Sequence, residues 1–351
     1  MAHLPTLRRV EPLVEVVPNI SEGRRNDVIE VLTAVVDGAR DAWLLDHTSD
    51  ADHNRSVITL AGTPDGAVAA MEALIEMAIE RIDMRTHQGQ HPRIGAVDVV
   101  PFVPLGGSSL RECVALAHRL GRSISERHGL PVYLYGAAAS DAQGRPLAAI
   151  RRPGFEGLVE ALARPDGAPD FGPVRPHPTA GAVAIGARGP LIAFNIQLAT
   201  TDIAVARRIA ARVREQGGGL ARVQALGLYL PGEGRAQVSM NILDHVRTPL
   251  WRVWEEVARL AAAEGVPIAD SELVGLAPAA ALDAVADHLD VSLPTGRRTA
   301  DEAPSDPASE RRRSEAAAWL RLRDYSSARL LETRLATALG AARAAKVSHT
   351  A

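Results

Sequence analysis

The chain has 351 residues, of which 46% are hydrophobic and 3% aromatic, and its formal net charge is −3. This length and apolar content can bury a sizeable core and predict two domains, or one domain with two cores. The weak net charge disfavours nucleic acid or an anionic membrane surface as the main partner and favours a small molecule. Because Lys346 is the only lysine among 39 lysines and arginines, an anionic ligand has to be held by arginine, histidine or backbone N–H groups.

The single cysteine, Cys113, excludes a disulfide within the chain and fits a reducing compartment. It lies in the amphipathic stretch "LRECVALAHRL", so we expect a buried core position rather than a nucleophile. Residues 1–12 form an N-terminal extension without the apolar stretch of a signal peptide, and no run of about 18 apolar residues predicts a membrane span. We therefore expect a soluble, cytoplasmic protein.

The first half of the chain alternates strand and helix patterns. The first helix has Ser21 or Asn26 as its expected N-cap and Gly38 as its stop, and the second opens at Thr63 and Pro64. Strands are predicted around these helices over residues 13–17, 42–47, 55–62 and 96–105. The resulting order, β-α-β-β-α-β, is that of a ferredoxin-like unit. A helix over 108–127 and a strand over 131–136 extend it.

The second half repeats this order. A strand over 190–198 precedes a helix capped by Thr200 or Thr201 and ended by glycines 217 to 219. A hairpin through "PGEGR", a helix from "TPLW" and a closing strand "VPIADSELVGL" follow. The predicted fold is therefore α/β (α+β), with two ferredoxin-like βαββαβ lobes and a ligand cleft between them.

Composition sets the expected domain limits. The first lobe is predicted over residues 13–180 and the second over 181–290. Residues 291–314 have the composition of a disordered loop, and residues 315–351 form a helical segment that docks on the second lobe or on a partner.

Two histidines flank Gly89 in "HQGQHPRIGAVDVV" (87–100). Their spacing would suit a metal site on a helix, but Gly89 and Pro92 disfavour helix, and the glutamate of the zinc motif is absent. From these residues alone, a surface loop whose histidines have no chemical role remains the alternative.

Eight segments stand out in order along the chain: "VEVVPNISEGR", "DADHNRSVITLAG", "IDMRTHQGQHPRIGAVDVVPFVPL", "PVYLYG", "APDFGP", "LIAFNIQL", "AQVSMNI" and "SELVGL". Together they resemble the formiminotransferase domain of the glutamate formimidoyltransferase family. The resemblance runs from about residue 13 to 288 and so covers both lobes.

This resemblance implies transfer of the formimino group of N-formimino-L-glutamate to N5 of tetrahydrofolate in histidine degradation. It implies that His91 of the "HPR" element is catalytic, that tetrahydrofolate is a co-substrate, that no metal is needed and that the protein is a homodimer. It also implies that part of the folate contact comes from the segment between the lobes, which comprises Gly172, Pro173, Val174, Arg175, Pro176, His177, Pro178, Thr179, Ala180 and Gly181. Some members carry a cyclodeaminase domain, which we do not expect here.

The residue types suit this chemistry. An imidazole that titrates near neutrality can take a proton from the attacking nitrogen and return it to the leaving one, as a general acid and base. Asn54, Arg55 and Arg93 are the expected substrate-binding residues, the arginines through bidentate contacts to carboxylates. The alternatives are an ion pair of Arg55 with Asp50 or Asp52, and backbone hydrogen bonds for the asparagines at positions 54, 195 and 241.

Two positions depart from the family pattern. Characterised members carry acidic residues where this chain has Gln90 and, counting back from Asn54 and Arg55, Thr48. Two alternatives therefore stay open: a folate-dependent formyl or formimino exchange with a different donor, and a folate-binding protein without catalysis. A third, independent of these two positions, is a metal-dependent hydrolase that would use His47, Asp50, Asp52, His53, His87 and His91.

Overall fold

Two β-sheets, each in its own half of the chain, organise the part of the protein that the structure describes. The computed structural model describes residues 12–51, 53–89, 92–139, 145–292 and 307–348. The chain divides into a first unit, residues 1–189, and a second unit, residues 190–351. The predicted α/β (α+β) class is confirmed, and the predicted ligand cleft between the lobes stays a prediction.

The described part of the first unit contains a seven-stranded sheet. Its strands are β1 (Leu13–Val16), β2 (Asn19–Ile20), β3 (Ala42–Asp50), β4 (Arg55–Gly62), β5 (Val97–Leu105), β6 (Val132–Gly136) and β7 (Val183–Ala187). Strands β1 and β2 lie between β4 and β5 and pair with both, while β3 pairs with β4 at the edge. These antiparallel strands form the predicted βαββαβ unit, and β7 and β6 extend it by parallel pairing beyond β5.

Helices cover both faces of the extended part of this sheet. They are α1 (Asn26–Asp37), α2 (Pro64–Arg81), α3 (Leu110–His128), α4 (Leu147–Arg151) and α5 (Leu158–Leu162). Helices α1 to α3 pack on one face, while Ile150 and Leu158 of the short helices pack on the other against Val99 and Tyr133. Strand β5 is therefore buried on both faces, which explains its nearly continuous apolar run.

The start of α1 differs from the prediction. Its N-cap is Arg25, which makes no side-chain capping bond, and the Glu22 carboxylate accepts the N–H groups of Arg24 and Arg25 instead. Ser21 is not a cap, because its hydroxyl donates to the carbonyl oxygen of Gly95 at 2.7 Å. The predicted stop at Gly38 and the predicted cap of α2 at Thr63 are confirmed.

The second unit contains a four-stranded antiparallel sheet in its described part. Its strands are β8 (Ile192–Leu198), β9 (Val223–Leu230), β10 (Arg235–Ile242) and β11 (Ile268–Val274). The order β11-β8-β10-β9 and the helices α6 (Ile203–Val213) and α7 (Leu250–Ala263) reproduce the predicted βαββαβ order. Asp202 caps α6 through its side chain in place of Thr200 or Thr201.

Strand β7 moves the division between the units beyond the predicted limit at residue 180. It hydrogen-bonds with β5 and β6, so the chain divides after Gly189. Sequence analysis missed this strand because the five residues "VAIGA" lie close behind a segment rich in proline and glycine.

The C-terminal segment packs on the second unit, as predicted for one of its two alternatives. It follows α8 (Ala279–Ser292) and contains α9 (Pro307–Trp319) and α10 (Leu331–Ser348). Leu322 bridges Ser271 of β11, and Leu330 bridges Ala277 just beyond that strand. The expectation of disorder over 291–314 is wrong for residues 307–314, because buried Arg313 of α9 pairs with Asp283 of α8 at 2.7 Å. Residues 293–306 lie outside the described residues.

Within the described ranges, no helix is both long and apolar enough to cross a membrane.

Candidate active site

His91, Gln90 and Asp52 lie outside the described residues, whereas the segments on either side of His91 are described. Three pieces of the first unit meet around these segments: residues 53–55, residues 87–89 with 92–98, and the predicted folate segment 172–181. The site is built from their hydrogen bonds.

Asn54 ties two of these pieces together. Its backbone is left-handed (φ 49°), its side-chain oxygen accepts the N–H of Gly23 at 2.9 Å, and its amide donates to the carbonyl of Gln88 at 3.0 Å. A Cβ on Gly89 would lie 2.2 Å from the carbonyl oxygen of His53, so only glycine fits there. The alternative for Asn54, backbone hydrogen bonding, is what the structure shows.

His87 and Arg93 form a second tie. The Nε of Arg93 donates to Nδ1 of His87 at 3.0 Å, and Nη2 donates to the His87 carbonyl at 3.1 Å. The outer guanidinium nitrogens also make a bidentate pair with Glu156 at 2.7 and 3.1 Å. Nε2 of His87 contacts the Asn54 carbonyl at 2.9 Å. Both His87 nitrogens are thus engaged, and most donors of Arg93 are used within the protein.

Arg55 keeps more of its hydrogen-bonding capacity. Its Nη2 donates to the side-chain oxygen of Asn19, and its Nε is buried without a hydrogen-bond partner. Burial lowers the pKa of the guanidinium to about 10, and the charge of Arg151 adds to this, against the opposing charges of Asp98 and Asp50. The structure places Asn19, rather than Asp50, at hydrogen-bonding distance.

A small cavity opens beside these residues. Its volume is about 10 Å³, which is room for about one water molecule. It is lined by Ile20, Ser21, His53, Asn54, Arg55, His87, Arg93 and Asp98.

Sequence analysis missed Asp98 and Arg151. Asp98 accepts the N–H of Ile94 at 2.9 Å through one oxygen and Nε of Arg151 at 2.7 Å through the other. Their side chains are only 3% and 15% exposed. The sequence could have indicated Asp98, because it is a lone aspartate inside the apolar run "IGAVDVV" and a buried carboxylate needs a partner. Arg151 comes from the short helix α4, which no pattern indicated.

The predicted folate segment is hydrogen-bonded to the chain just after the "HPR" element. Ala96 donates to the carbonyl of Ala180 at 3.0 Å, Ala182 donates to that of Ile94 at 3.0 Å, and Gly95 bridges Gly181. A Cβ on Gly181, whose φ is +72°, would lie 2.2 Å from the Ile94 oxygen. These two glycines therefore allow the two backbones to meet.

Only part of this segment has backbone groups to offer a ligand. His177 and Gly181 exchange N–H···O bonds of 2.8 and 3.1 Å, and Nδ1 of His177 accepts the N–H of Ala180 at 3.0 Å. The preceding residues are more exposed, with Val174 at 62%. Residues 172, 174 and 175 of the segment are exposed.

The residues of the hydrolase alternative do not assemble where they are described. Across the described ranges, no three His, Cys, Asp or Glu side chains are placed to hold a metal ion. Asp50 instead accepts the backbone N–H of His53 at 2.8 Å, and both nitrogens of His87 are occupied. Thr48 lies within β3, opposite Val57.

Fold and site together define a two-unit α/β protein with a polar, arginine-lined site in its first unit. The sequence matches two family models: "Formiminotransferase domain, N-terminal subdomain" over residues 13–188 and "Formiminotransferase domain" over residues 193–291. The chain belongs to the formiminotransferase domain family.

Relatives in this family are similar over most of the chain. A glutamate formimidoyltransferase of Streptococcus pyogenes serotype M1 is 42% identical over 79% of this chain and 92% of its own length. One of Thermoplasma acidophilum is 43% identical over 79% and 91%. A formimidoyltransferase-cyclodeaminase of Gallus gallus is 47% identical over 77% of this chain but only 51% of its own length. The similarity is thus to the formiminotransferase part of the longer relatives.

Proposed function

We propose that this protein transfers the formimino group of N-formimino-L-glutamate to N5 of tetrahydrofolate, a step of histidine degradation. The observation that carries the proposal is the backbone pairing of residues 94–96 with 180–182, which joins the expected folate segment to the chain that follows His91. Relatives named glutamate formimidoyltransferase, matched over nine-tenths of their length, support the same reaction.

His91 is the general acid and base in this proposal. N5 of tetrahydrofolate attacks the formimino carbon, a C–N5 bond forms, and His91 accepts the proton that N5 loses. The tetrahedral adduct then breaks its bond to the glutamate nitrogen, which takes a proton back from the imidazolium. Glutamate and 5-formiminotetrahydrofolate leave. Asn54, Gly89 and Asp98 support this step by holding the chain on both sides of His91.

Arg55 is the better of the two arginines for the substrate's carboxylates. It has a buried donor without a partner, and a buried guanidinium gains most from a carboxylate. The outer nitrogens of Arg93 already form a bidentate pair with Glu156 rather than with a substrate carboxylate. The role of Arg93 is therefore to hold His87. Asn54 holds the backbone through hydrogen bonds of its side chain rather than contacting the substrate. Tetrahydrofolate contacts the exposed half of the folate segment, residues 172–176.

A second candidate keeps the folate and changes the donor. Gln90 and Thr48, where relatives carry acids, favour it, because a neutral residue cannot stabilise an imidazolium by its charge. The same family resemblance supports a homodimer, and the single cysteine supports a reducing, cytoplasmic location.

The test is incubation with tetrahydrofolate and formiminoglutamate, followed by the absorbance of 5-formiminotetrahydrofolate. Formation of this species at an enzymatic rate supports the proposal. Transfer only from N-formylglutamate would select the second candidate. Hydrolysis that depends on a metal present in the same preparation would replace both with the hydrolase alternative.

A further inference from the structure

Strand β9 is an open edge of the sheet in the second unit. It pairs with β10 along its whole length, and among the described residues no strand pairs with its other side. At the opposite edge of the same sheet, the C-terminal segment bridges β11 at Ser271. Because an open edge carries unpaired N–H and C=O groups, it is a template for pairing with another chain.

The hydrogen-bond pattern shows which residues of β9 face outward. Leu243, just after β10, donates to the carbonyl oxygen of Arg222, just before β9, at 2.8 Å. Residues of an antiparallel pair alternate between bonding to the partner strand and pointing away from it. The even-numbered residues of β9 therefore bond to β10. The residues that present their N–H and C=O groups to the open side are Ala225, Gly227 and Tyr229.

Strand β9 lacks the features that usually protect an edge. Its sequence "VQALGLYL" contains no charged residue and no proline, whereas edge strands are commonly protected by lysine, proline or a bulge. Leu226 is 62% exposed and Tyr229 is 41% exposed. A Cβ on Gly227 would lie 2.3 Å from the backbone nitrogen of Arg207, so α6 packs directly behind the middle of the strand. A partner strand therefore meets an apolar edge that is already held in place.

We propose that β9 pairs antiparallel with β9 of a second copy of this chain, about a two-fold axis at Gly227. In this register Ala225 of one copy pairs with Tyr229 of the other, so the outward N–H and C=O groups of these three residues are all satisfied. Leu226 then lies opposite Leu228 of the second copy, and each covers the other. Both copies use the same patch, as a closed two-fold interface requires.

The charges at the two ends of β9 favour this partner. Arg222 precedes the strand and is exposed. Glu233 follows it in the turn, with a side chain that is 33% exposed and pairs with Arg323 through one oxygen. Antiparallel pairing about Gly227 brings the Arg222 end of one copy to the Glu233 end of the other, so opposite charges meet at both ends. Parallel pairing would instead place like charges side by side.

The experiment measures the molar mass of the full chain by sedimentation equilibrium over a range of protein concentrations. Wild type should be a dimer. Leu226→Lys should raise the dimer Kd about tenfold or more, because each dimer then holds two ammonium groups against apolar side chains. Val246→Lys, at a valine that is 83% exposed outside β9, is the matched control and should dimerise as wild type does.

A second variant and a second measurement test the register. Arg222→Glu, also at an exposed position, should weaken the dimer, because it places a carboxylate near Glu233 of the second copy. The amides of Ala225, Gly227 and Tyr229 should exchange hydrogen more slowly as the wild-type concentration rises, and Leu226→Lys should remove this dependence. Leu226→Lys should melt at the same temperature as diluted wild type, since the replaced side chain is exposed.

Three results would overturn the assignment. A monomeric wild type would do so, and would leave the edge to an extended peptide of another protein. Leu226→Lys that dimerises as tightly as wild type would place the interface on another surface. Amide exchange in β9 that does not depend on concentration would show that the edge stays open in the dimer. Because no measurement uses formimino transfer, failure of the reaction proposed above would leave this interface unaffected.

Discussion

Arg93 donates a hydrogen bond from Nε to Nδ1 of His87 across 3.0 Å. Since Nδ1 accepts, the ring proton must lie on Nε2, which donates to the Asn54 carbonyl at 2.9 Å. His87 is therefore a neutral imidazole that joins residues 54, 87 and 93. Burial lowers the pKa of His87; the hydrogen bond to Asn54 opposes this, and the charge of Arg93 adds to it.

This relationship predicts loss of stability in acid. Well above the unfolded pKa of about 6.5, the histidine is neutral in both the folded and the unfolded chain, so its lowered folded pKa does not change the free energy of unfolding. Below that pH the unfolded chain binds a proton that the folded chain binds less readily, and the free energy of unfolding falls. The free energy of unfolding should therefore fall between pH 7.5 and 5.5, and it should fall less steeply in His87→Gln than in wild type. Urea denaturation at both pH values measures this.

His47→Gln, at an exposed histidine, is the control for His87→Gln. Its free energy of unfolding should change with pH as steeply as that of wild type. His177 and His245 also have pKa values lowered by burial, so the slope of His87→Gln should shrink without vanishing. A slope identical to wild type would contradict the neutral assignment of His87.

His91→Ala should lower kcat by about two to four orders of magnitude, the range for loss of a general acid or base. Affinity for 5-formyltetrahydrofolate should change little, because the proposed folate contacts lie elsewhere. Steady-state kinetics and calorimetry measure the two effects. His47→Ala should leave both unchanged, and near-normal turnover of His91→Ala would remove His91 from the mechanism.

Gln90→Glu should raise the pKa of His91, because a carboxylate nearby favours the imidazolium. The limb of the kcat/KM profile that requires the acid form should then move to higher pH, and kcat on formiminoglutamate should rise if that is the true donor. A shifted limb without a gain in kcat would point to another donor. An unshifted limb would show that residue 90 does not act on His91.

Asp98→Asn should lower the free energy of unfolding by about 3–5 kcal/mol, because it leaves the Arg151 guanidinium buried without its counter-charge. The change should also lower kcat, since Asp98 holds Ile94 just beyond the "HPR" element. Asp65→Asn, which removes an exposed pair with Arg119, should cost below about 1 kcal/mol. Chemical denaturation measures the loss in free energy of unfolding for both variants. Equal losses would refute the prediction that the buried pair of Asp98 with Arg151 stabilises the fold more than an exposed pair.

Gly181→Ala should lower the free energy of unfolding by about 1–3 kcal/mol, because residue 181 is left-handed (φ +72°) and a Cβ meets the Ile94 oxygen at 2.2 Å. It should lower kcat as well, since the backbone after His91 has to move. Gly189→Ala, where a Cβ meets nothing within 4 Å, should do neither. Unchanged stability and turnover in Gly181→Ala would mean that the 94–96 and 180–182 backbones need not pair.

Local patterns were sufficient for most secondary structure. The alternation of "RSVITLAG" and the Thr63-Pro64 start of α2 predicted their elements at or near the observed limits, because strand alternation and helix capping depend on neighbouring residues. The predictions failed where distant residues decide. The side chain of Ser21 bonds Gly95 rather than capping α1, and Arg313 is ordered by Asp283, 30 positions away.

The sequence by itself determined the α/β class, the βαββαβ order in each half, and the family, since residue order and hydrophobic period carry these directly. In the sequence, Gly89 only argued against a helix around the two histidines, whereas the structure shows that a Cβ at this position would meet the carbonyl oxygen of His53. Only the tertiary structure decided which polar groups remain available. Arg93 donates its hydrogen bonds to His87 and Glu156, whereas the buried Nε of Arg55 has no hydrogen-bond partner. The reason is physical: a hydrogen bond between residues 63 positions apart, such as that of Arg93 with Glu156, depends on how the chain packs, and no local period encodes it.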